Sequence, residues 1–234
     1  MESSYESVLE TLAREPGTAV TILDLRGEIH FANRHTLRIC VGADAEPDSI
    51  VGKSLEEIGY PRAWIDERLA IMRRIKESGD ELLVRAIWNG RQLFSWYRAL
   101  EPTDHEPGGD PAPDDAFRVL VVTRAVQAGE ESEYLTGHEL GVVESRVMHL
   151  GPLDTLTARE LEVLALIGHA KTTRQIADVL HRSVKTVENH RISLGRKLRK
   201  ANRVELAILA REAGLRLEDA ALSRVPTGDK TPAA

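Results

Sequence analysis

Three helix-start signals crowded between residues 157 and 183 constrain this chain more than any other feature. Thr157 followed by Glu160 is a capping box, in which the two side chains each satisfy a backbone N–H that a helix leaves orphaned at its start. Leu156 and Leu161 sit where a hydrophobic staple would close the same turn. Thr172 with Gln175 repeats the device, and Ser183 is placed to cap a third helix after the short break His181-Arg182. A fourth helix is expected from Arg203 to Glu212, stopped at Gly214. Residues 152–215 are therefore expected to form an all-α bundle of four helices.

Two short helices separated by about three residues, the second long and basic, are the elements of a helix-turn-helix, whose second helix enters the major groove. At about 100° per residue, Val184, Val187, Leu194 and Leu198 gather on one face. Lys185, Asn189, Ile192 and Arg196 fall roughly opposite, with Glu188 beside them. That face holds an amide able to bind adenine, cations for phosphate or guanine, and an apolar group for a thymine methyl. Arg191 falls toward the packed side, where its stem can snorkel. An ordinary amphipathic helix with a solvated basic face would show the same spacing. All ten aromatic residues lie at or before Tyr134, so the bundle has no rings on which unpaired bases could stack, and duplex is favoured.

Charge divides the chain in the same place. The net charge of -6 is the sum of an acidic part, residues 1–149 at -11, a basic part, 150–214 at +5, and a neutral remainder. A basic module on an acidic body fits a polyanion binder whose other mass does something else. No apolar run approaches the roughly 20 residues of a membrane span, and Met1 to Glu15 lacks the order of a signal peptide. The expectation is a soluble cytoplasmic protein with no membrane partner. The single cysteine, Cys40, cannot form an internal disulfide and reads as a small buried side chain.

The acidic part reads as α+β. After a flanking helix over Ser4 to Glu15, two strands, Thr18 to Leu25 and Glu28 to Ala32, join at Arg26-Gly27. Short helical turns follow at Asn33 to Cys40 and Leu55 to Ile58, then a helix from Arg62 to Glu77 carrying Ile65, Leu69, Met72 and Ile75 on one face. Glu81 to Trp88 and Arg91 to Leu100 flank the hairpin turn Asn89-Gly90, and Phe117 to Val126 is a fifth strand. Pro102 to Asp115 reads as a solvated loop. Two strands, several helices and three strands imply an antiparallel sheet with helices, ending near Gln127. Leu140, Val143, Val147 and Leu150 recur at helical steps, so residues 128–151 are expected to be a linker helix that either pairs with a copy of itself or simply connects. Residues 216–234 are expected to be a disordered tail.

The stretch from Leu156 to Ala210 resembles the LuxR-type helix-turn-helix family. The matching residues are Leu156-Thr157 with Arg159-Glu160, T-T-R-Q-I-A at 172–177, S-V-K-T-V-E-N-H at 183–190, and Asn202-Arg203. The resemblance implies a transcriptional regulator that binds double-stranded DNA as a homodimer, with the fourth helix supplying dimer contacts and RNA polymerase a further candidate partner. It places Glu188, Asn189 and Ile192 at base edges and Lys185 and Thr186 near the backbone. Thr172, Thr173 and Arg196 complete the expected DNA-binding set. Position 192 is often polar or basic in relatives, so the isoleucine sets this chain apart.

ILDLRGEIHFAN at 22–33 and G-K-S-L-E-E-I at 52–58 make residues 18–127 resemble a PAS domain, with Asp24, Gly27 and Asn33 on its pattern; a GAF domain shares the α+β outline. The PAS resemblance implies a sensor of a small ligand, haem, flavin or redox state, or a pairing module. The cysteine run of a flavin photosensor is absent, and with no histidine between His35 and His105 the helix at 62–77 offers no axial imidazole for haem. The sequence requires no cofactor. Trp64, Trp88, Phe94 and Trp96 either line a pocket or belong to a core.

Three further motifs are set aside. Gly52-Lys53-Ser54 has Pro47 where a phosphate loop needs glycine, and His138-Glu139 lacks the second histidine of a metalloprotease. Asp104, His105 and Glu106 read as a solvated run. No catalytic or metal site is expected. Two readings stay open: a sensory DNA-binding regulator, or an interaction protein whose helical module serves assembly.

Overall fold

The computed structural model describes residues 17–41, 49–100, 116–135 and 141–226. The expected helix at 4–15, the loop at 102–115 with its Asp104, His105 and Glu106, the pair His138-Glu139 and residues 227–234 lie outside the described residues.

Strand β1 (Thr18–Asp24) turns back through Gly27, at φ 84°, into β2 (Ile29–Ala32). Asn33 then ties the hairpin to the next element: its side-chain oxygen accepts from the backbone N–H of Val20 and Thr36, and its amide donates to the Thr18 carbonyl at 2.8 Å. This buried cap starts α1 (Arg34–Thr36), which runs on as a π-helical turn over Leu37–Val41. Ser54 and Glu57 form a reciprocal capping box on α2 (Leu55–Ile58), so the G-K-S run begins a helix. Helix α3 (Arg62–Ser78) ends at Gly79 in the left-handed region and lays Ile65, Leu69, Met72 and Ile75 against Leu82, Val84, Tyr97, Val119 and Val121 of the sheet. Strands β3 (Leu82–Trp88) and β4 (Arg91–Leu100) join through Asn89 and Gly90, both at positive φ as a tight hairpin requires, and β5 (Arg118–Ala125) lies between β4 and β1. These elements form the α+β domain whose sequence resembles a PAS domain and which is called PAS-like below: an antiparallel sheet with helices on one face.

Past β5 the structure departs from the expected linker helix. A short α4 (Glu131–Leu135) is followed by a strand, β6 (Gly141–Met148), parallel to β3. Apolar residues at steps of three and four fit a helix, but in β6 the alternating Val143, Ser145 and Val147 meet the domain while β3 supplies the hydrogen bonds. The presumed tail is also partly ordered: a 3-10 turn over Leu217–Ala221 leads to β7 (Ser223–Arg224), which pairs with β6, and the Val225 N–H donates to the Met148 carbonyl at 2.9 Å. The result is a seven-stranded sheet in the order β2-β1-β5-β4-β3-β6-β7.

After a turn at Gly151–Leu153 the bundle contains α5 (Ala158–Gly168), α6 (Thr173–Val179), α7 (Val184–Lys197) and α8 (Arg203–Ala213). Both expected capping boxes form, at Thr157 with Glu160 and at Thr172 with Gln175, and Ser183 caps α7. The bundle packs on the sheet's outer face: Ile87 and Met148 belong to the same apolar cluster as Leu161, Leu164, Leu194 and Leu206. With helix α3 on one face and the bundle on the other, β3 is buried at every position. Gly214, at φ 64°, allows the closest approach, because a Cβ there would lie 2.5 Å from the Val126 carbonyl oxygen. No helix among the described residues is long and apolar enough to cross a membrane.

A buried ion pair fastens the bundle to the sheet. Arg85 of β3 binds Asp219 with both terminal nitrogens, at 2.8 and 2.7 Å, with side chains 3% and 4% exposed. Its Nε donates to Gln92 and its Nη1 lies 3.2 Å from Glu144. Arg216 reaches the other oxygen of Glu144 at 3.0 Å.

Candidate functional site

Helix α7 is held by its apolar side and by one charged anchor. Val187 and Leu194 are fully buried, and Leu198 packs against the same cluster. Val184, assigned to that side by the helical wheel, is 44% exposed: side chains lean toward a helix's N-terminus, so at the first position it overhangs the end. The anchor is Glu160 at the start of α5. Its carboxylate accepts from Lys197 Nζ at 2.6 Å and Ser193 Oγ at 2.7 Å, besides capping Thr157. Burial alone would raise its pKa; these donors outweigh that and hold it at about 2. The angle of α7 is thus set by α5. Arg159 fixes the turn before it, donating to the Leu180 carbonyl at 2.8 Å, and His181 makes the tight break at φ 51°.

The opposite side of α7 faces outward. Lys185, Asn189, Ile192 and Arg196 are exposed, Ile192 by 69%, while Thr186 and Glu188 are half-buried. Lys185 lies 3.7 Å from Glu188, and Thr186 shares a 2.8 Å hydrogen bond with Ser183. Thr172 is exposed as the cap of α6, and Thr173 accepts from Arg191 Nη1 at 3.4 Å. The eight expected residues therefore lie on α7 and the start of α6, with Asn189 and Ile192 exposed. Arg191 is half-buried as the wheel placed it, its Nε unpartnered; burial, with Arg203 nearby, lowers its pKa. With Arg196, Lys200 and Arg203 it lines a cleft of about 490 Å³ between α7 and α8, a cationic extension that the wheel of one helix could not reveal. Along α8, Val204 and Ile208 are exposed by 67% and 54%.

The α+β domain holds a partly open cavity of about 70 Å³ between its sheet and α3. Trp64 and Trp88 line it, with ring centroids 4.3 Å apart, as do Tyr60, Tyr97, Cys40 and Arg68. Phe94 and Trp96 do not: as alternate residues of β4 they face the other side of the sheet, against Tyr134. Burial pushes the Cys40 thiol up to about 12, and raises the Tyr60 and Tyr97 phenols as well, so all three are neutral at physiological pH. Asp24, Glu28 and His30 bring ligand-type atoms within 4.8 Å of one another, but Asp24 already accepts from the backbone N–H of Arg26 and Glu28 at 2.9 Å.

Comparison with known proteins adds the following. Residues 154–210 match the family model described as bacterial regulatory proteins, luxR family. The chain is 37% identical over 99 residues to the transcriptional regulatory protein LiaR of Bacillus subtilis, covering 41% of this chain and 46% of that protein. It is 43% identical over 60 residues to the uncharacterized response regulatory protein YgeK of Escherichia coli, covering 26% and 41%. The chain thus spans less than half the length of these curated relatives. Among solved structures, a VqmA-ligand-DNA complex of Vibrio cholera is similar with a TM-score of 0.46 and 20% identity, over 90% of this chain and 88% of that one. A PAS domain of Cronobacter turicensis RpfR is similar with a TM-score of 0.34 and 15% identity, over 48% and 96%.

Proposed function

We propose that this chain, whose residues 154–210 form a luxR-type helix-turn-helix, is a cytoplasmic transcriptional regulator that reads duplex DNA as a homodimer under the control of its PAS-like domain. The observation that carries the reading is the outward polar face of α7, anchored from behind by Glu160 and left open to solvent at Lys185, Asn189, Ile192 and Arg196. Asn189 is the adenine reader, Ile192 meets a thymine methyl, and Glu188 accepts from cytosine. Lys185, Thr186, Arg196, Thr172 and Thr173 hold phosphates and set register. The exposed Val204 and Ile208 of α8 supply a two-fold contact, which places half-sites about one helical turn, or 10 base pairs, apart. RNA polymerase is the partner through which a bound dimer would act on transcription.

Control runs through β6. This strand pairs with β3 of the sensor and leads into the bundle, so a change in the cavity is transmitted by a strand in place of the expected coiled linker. Fluorescence titration of random and operator duplexes at two salt concentrations tests the reading. Affinity should fall steeply with salt, with a logarithmic slope of roughly -0.9 per neutralised phosphate. Salt-insensitive binding, no binding at low salt, or a monomer on operator DNA by light scattering would overturn it.

A further inference from the structure

Arg68 is a charged side chain placed where a charge is costly. It is 5% exposed, its guanidinium sits 3.9 Å over the Trp64 ring, and it lines the cavity of the PAS-like domain. Its Nη2 donates weakly to Ser145 Oγ at 3.4 Å. Its Nη1 is buried and makes no hydrogen bond; the Glu67 carboxylate 3.3 Å away is out of line for one and accepts instead from Ser145 Oγ at 2.6 Å and the Arg146 N–H at 2.7 Å. Glu67 balances the charge as an ion pair at 3.3 Å, yet the Nη1 hydrogens still lack an acceptor in line, and a carboxylate supplies one.

The cavity wall supplies no anionic acceptor. Cys40, Tyr60 and Tyr97 are held neutral by burial, and the hydroxyls pair among themselves, Thr21 with Thr36 at 3.1 Å and Ser95 with Thr123 at 2.8 Å. The remaining lining is apolar, with Trp64, Trp88 and Leu93 prominent. The cavity is partly open, and its interior of about 70 Å³, roughly half of a cavity that holds benzene, favours a small guest.

We propose that this cavity binds a short-chain monocarboxylate of about two to four carbons, its carboxylate on Arg68 Nη1 and its alkyl end among Trp64, Trp88 and Leu93. The same guanidinium touches Ser145 of β6 through Nη2, so drawing it toward a bound carboxylate would loosen its contact with the strand that leads to the helical bundle. Binding stands on the cavity alone; its effect on DNA rests on the regulator reading above.

The test uses the full chain, titrated calorimetrically with sodium acetate, propionate, butyrate and hexanoate against acetamide, propionamide and sodium chloride at matched ionic strength. The short acids should bind saturably at millimolar concentration and quench tryptophan fluorescence, with the amides weaker by about tenfold or more and hexanoate no tighter than butyrate. Arg68→Lys should weaken acetate, and Arg68→Met should abolish it. Amides binding as well as acids, no saturable acid binding because water alone fills the cavity, or full binding by Arg68→Met would each overturn the proposal. If Arg68→Met fails to fold by circular dichroism, Arg68→Lys and the acid-to-amide ratio decide. A duplex titration run in parallel separates the two claims: acetate binding without DNA binding sinks only the regulator, and DNA binding without acetate binding sinks only the carboxylate site.

Discussion

Replacing Asp219 by alanine leaves Arg85 buried with its principal counter-ion gone. Removing one partner of a buried, hydrogen-bonded ion pair costs about 3 to 5 kcal/mol, because the remaining charge stays desolvated. Two features here reduce the loss: Glu144, half exposed, remains 3.2 Å from Arg85 Nη1, and Gln92 still accepts from Nε. One adds to it, since Asp219 also accepts from the Arg216 N–H at 2.7 Å. The expected cost is therefore near the lower end, about 3 kcal/mol, a large share of the 5 to 15 kcal/mol by which a domain is stable. Burial works to lower the Arg85 pKa, but Asp219 and Glu144 outweigh it, so the arginine enters this balance fully charged. Urea unfolding is followed by tryptophan fluorescence, which reports only the PAS-like domain, and by far-ultraviolet circular dichroism, weighted to the bundle. The two transitions should coincide in the parent and separate in Asp219→Ala as the bundle leaves the sheet. Arg85→Met with Asp219→Leu should recover most of the loss, since an apolar pair needs no counter-charge. A cost under about 1 kcal/mol for Asp219→Ala, or a double variant as unstable as the single one, would refute the idea that this pair is the fastening.

Four further outcomes are expected. Asn189→Ala should cost about 1 to 3 kcal/mol of operator affinity and relax preference at one base pair, measured by titration against matched and mismatched duplexes. Lys185→Ala should weaken all duplexes alike and flatten the salt slope by about one. Glu160 has a folded pKa of about 2 against 4.5 unfolded, so the stability it contributes is full above pH 4.5 and is lost as pH falls toward 2; acid titration of Glu160→Gln should lack that part of the pH dependence. Gly214→Ala combines a positive φ with a Cβ 2.5 Å from a backbone oxygen and should lower stability by more than about 2 kcal/mol in urea unfolding.

What the sequence made legible was local. Capping boxes at Thr157 and Thr172 and the Asn89-Gly90 turn act within a few residues, so their signals survive in a linear reading. The outward face of α7 was equally readable, because one helical period sorts Asn189 from Leu194. Strand β6 was not: Val143 and Val147 satisfy a helical step as well as a strand's alternation, and only pairing with β3, some sixty residues earlier, decides between them. Val142-Val143 after Gly141 was the available hint, since adjacent β-branched residues favour a strand. Arg85 and Gln92 gave no warning that they face a partner module, although the nearly unbroken apolar run Leu82 to Trp88 fits a strand buried on both sides. Nothing in the linear sequence singles out Arg68 on α3 either, because its unbonded Nη1 shows only once the cavity has walls.

Where the chain leaves the sheet at Met148 and where it comes back at Ser223 are neighbouring points, stitched together by the pairing of Val147 with Ser223. Everything between them is a closed loop, tied at its neck by two residue pairs and seated on the sheet by the Arg85–Asp219 pair and the shared apolar cluster. Its two ends cannot part company, so a displacement of β6 moves both together.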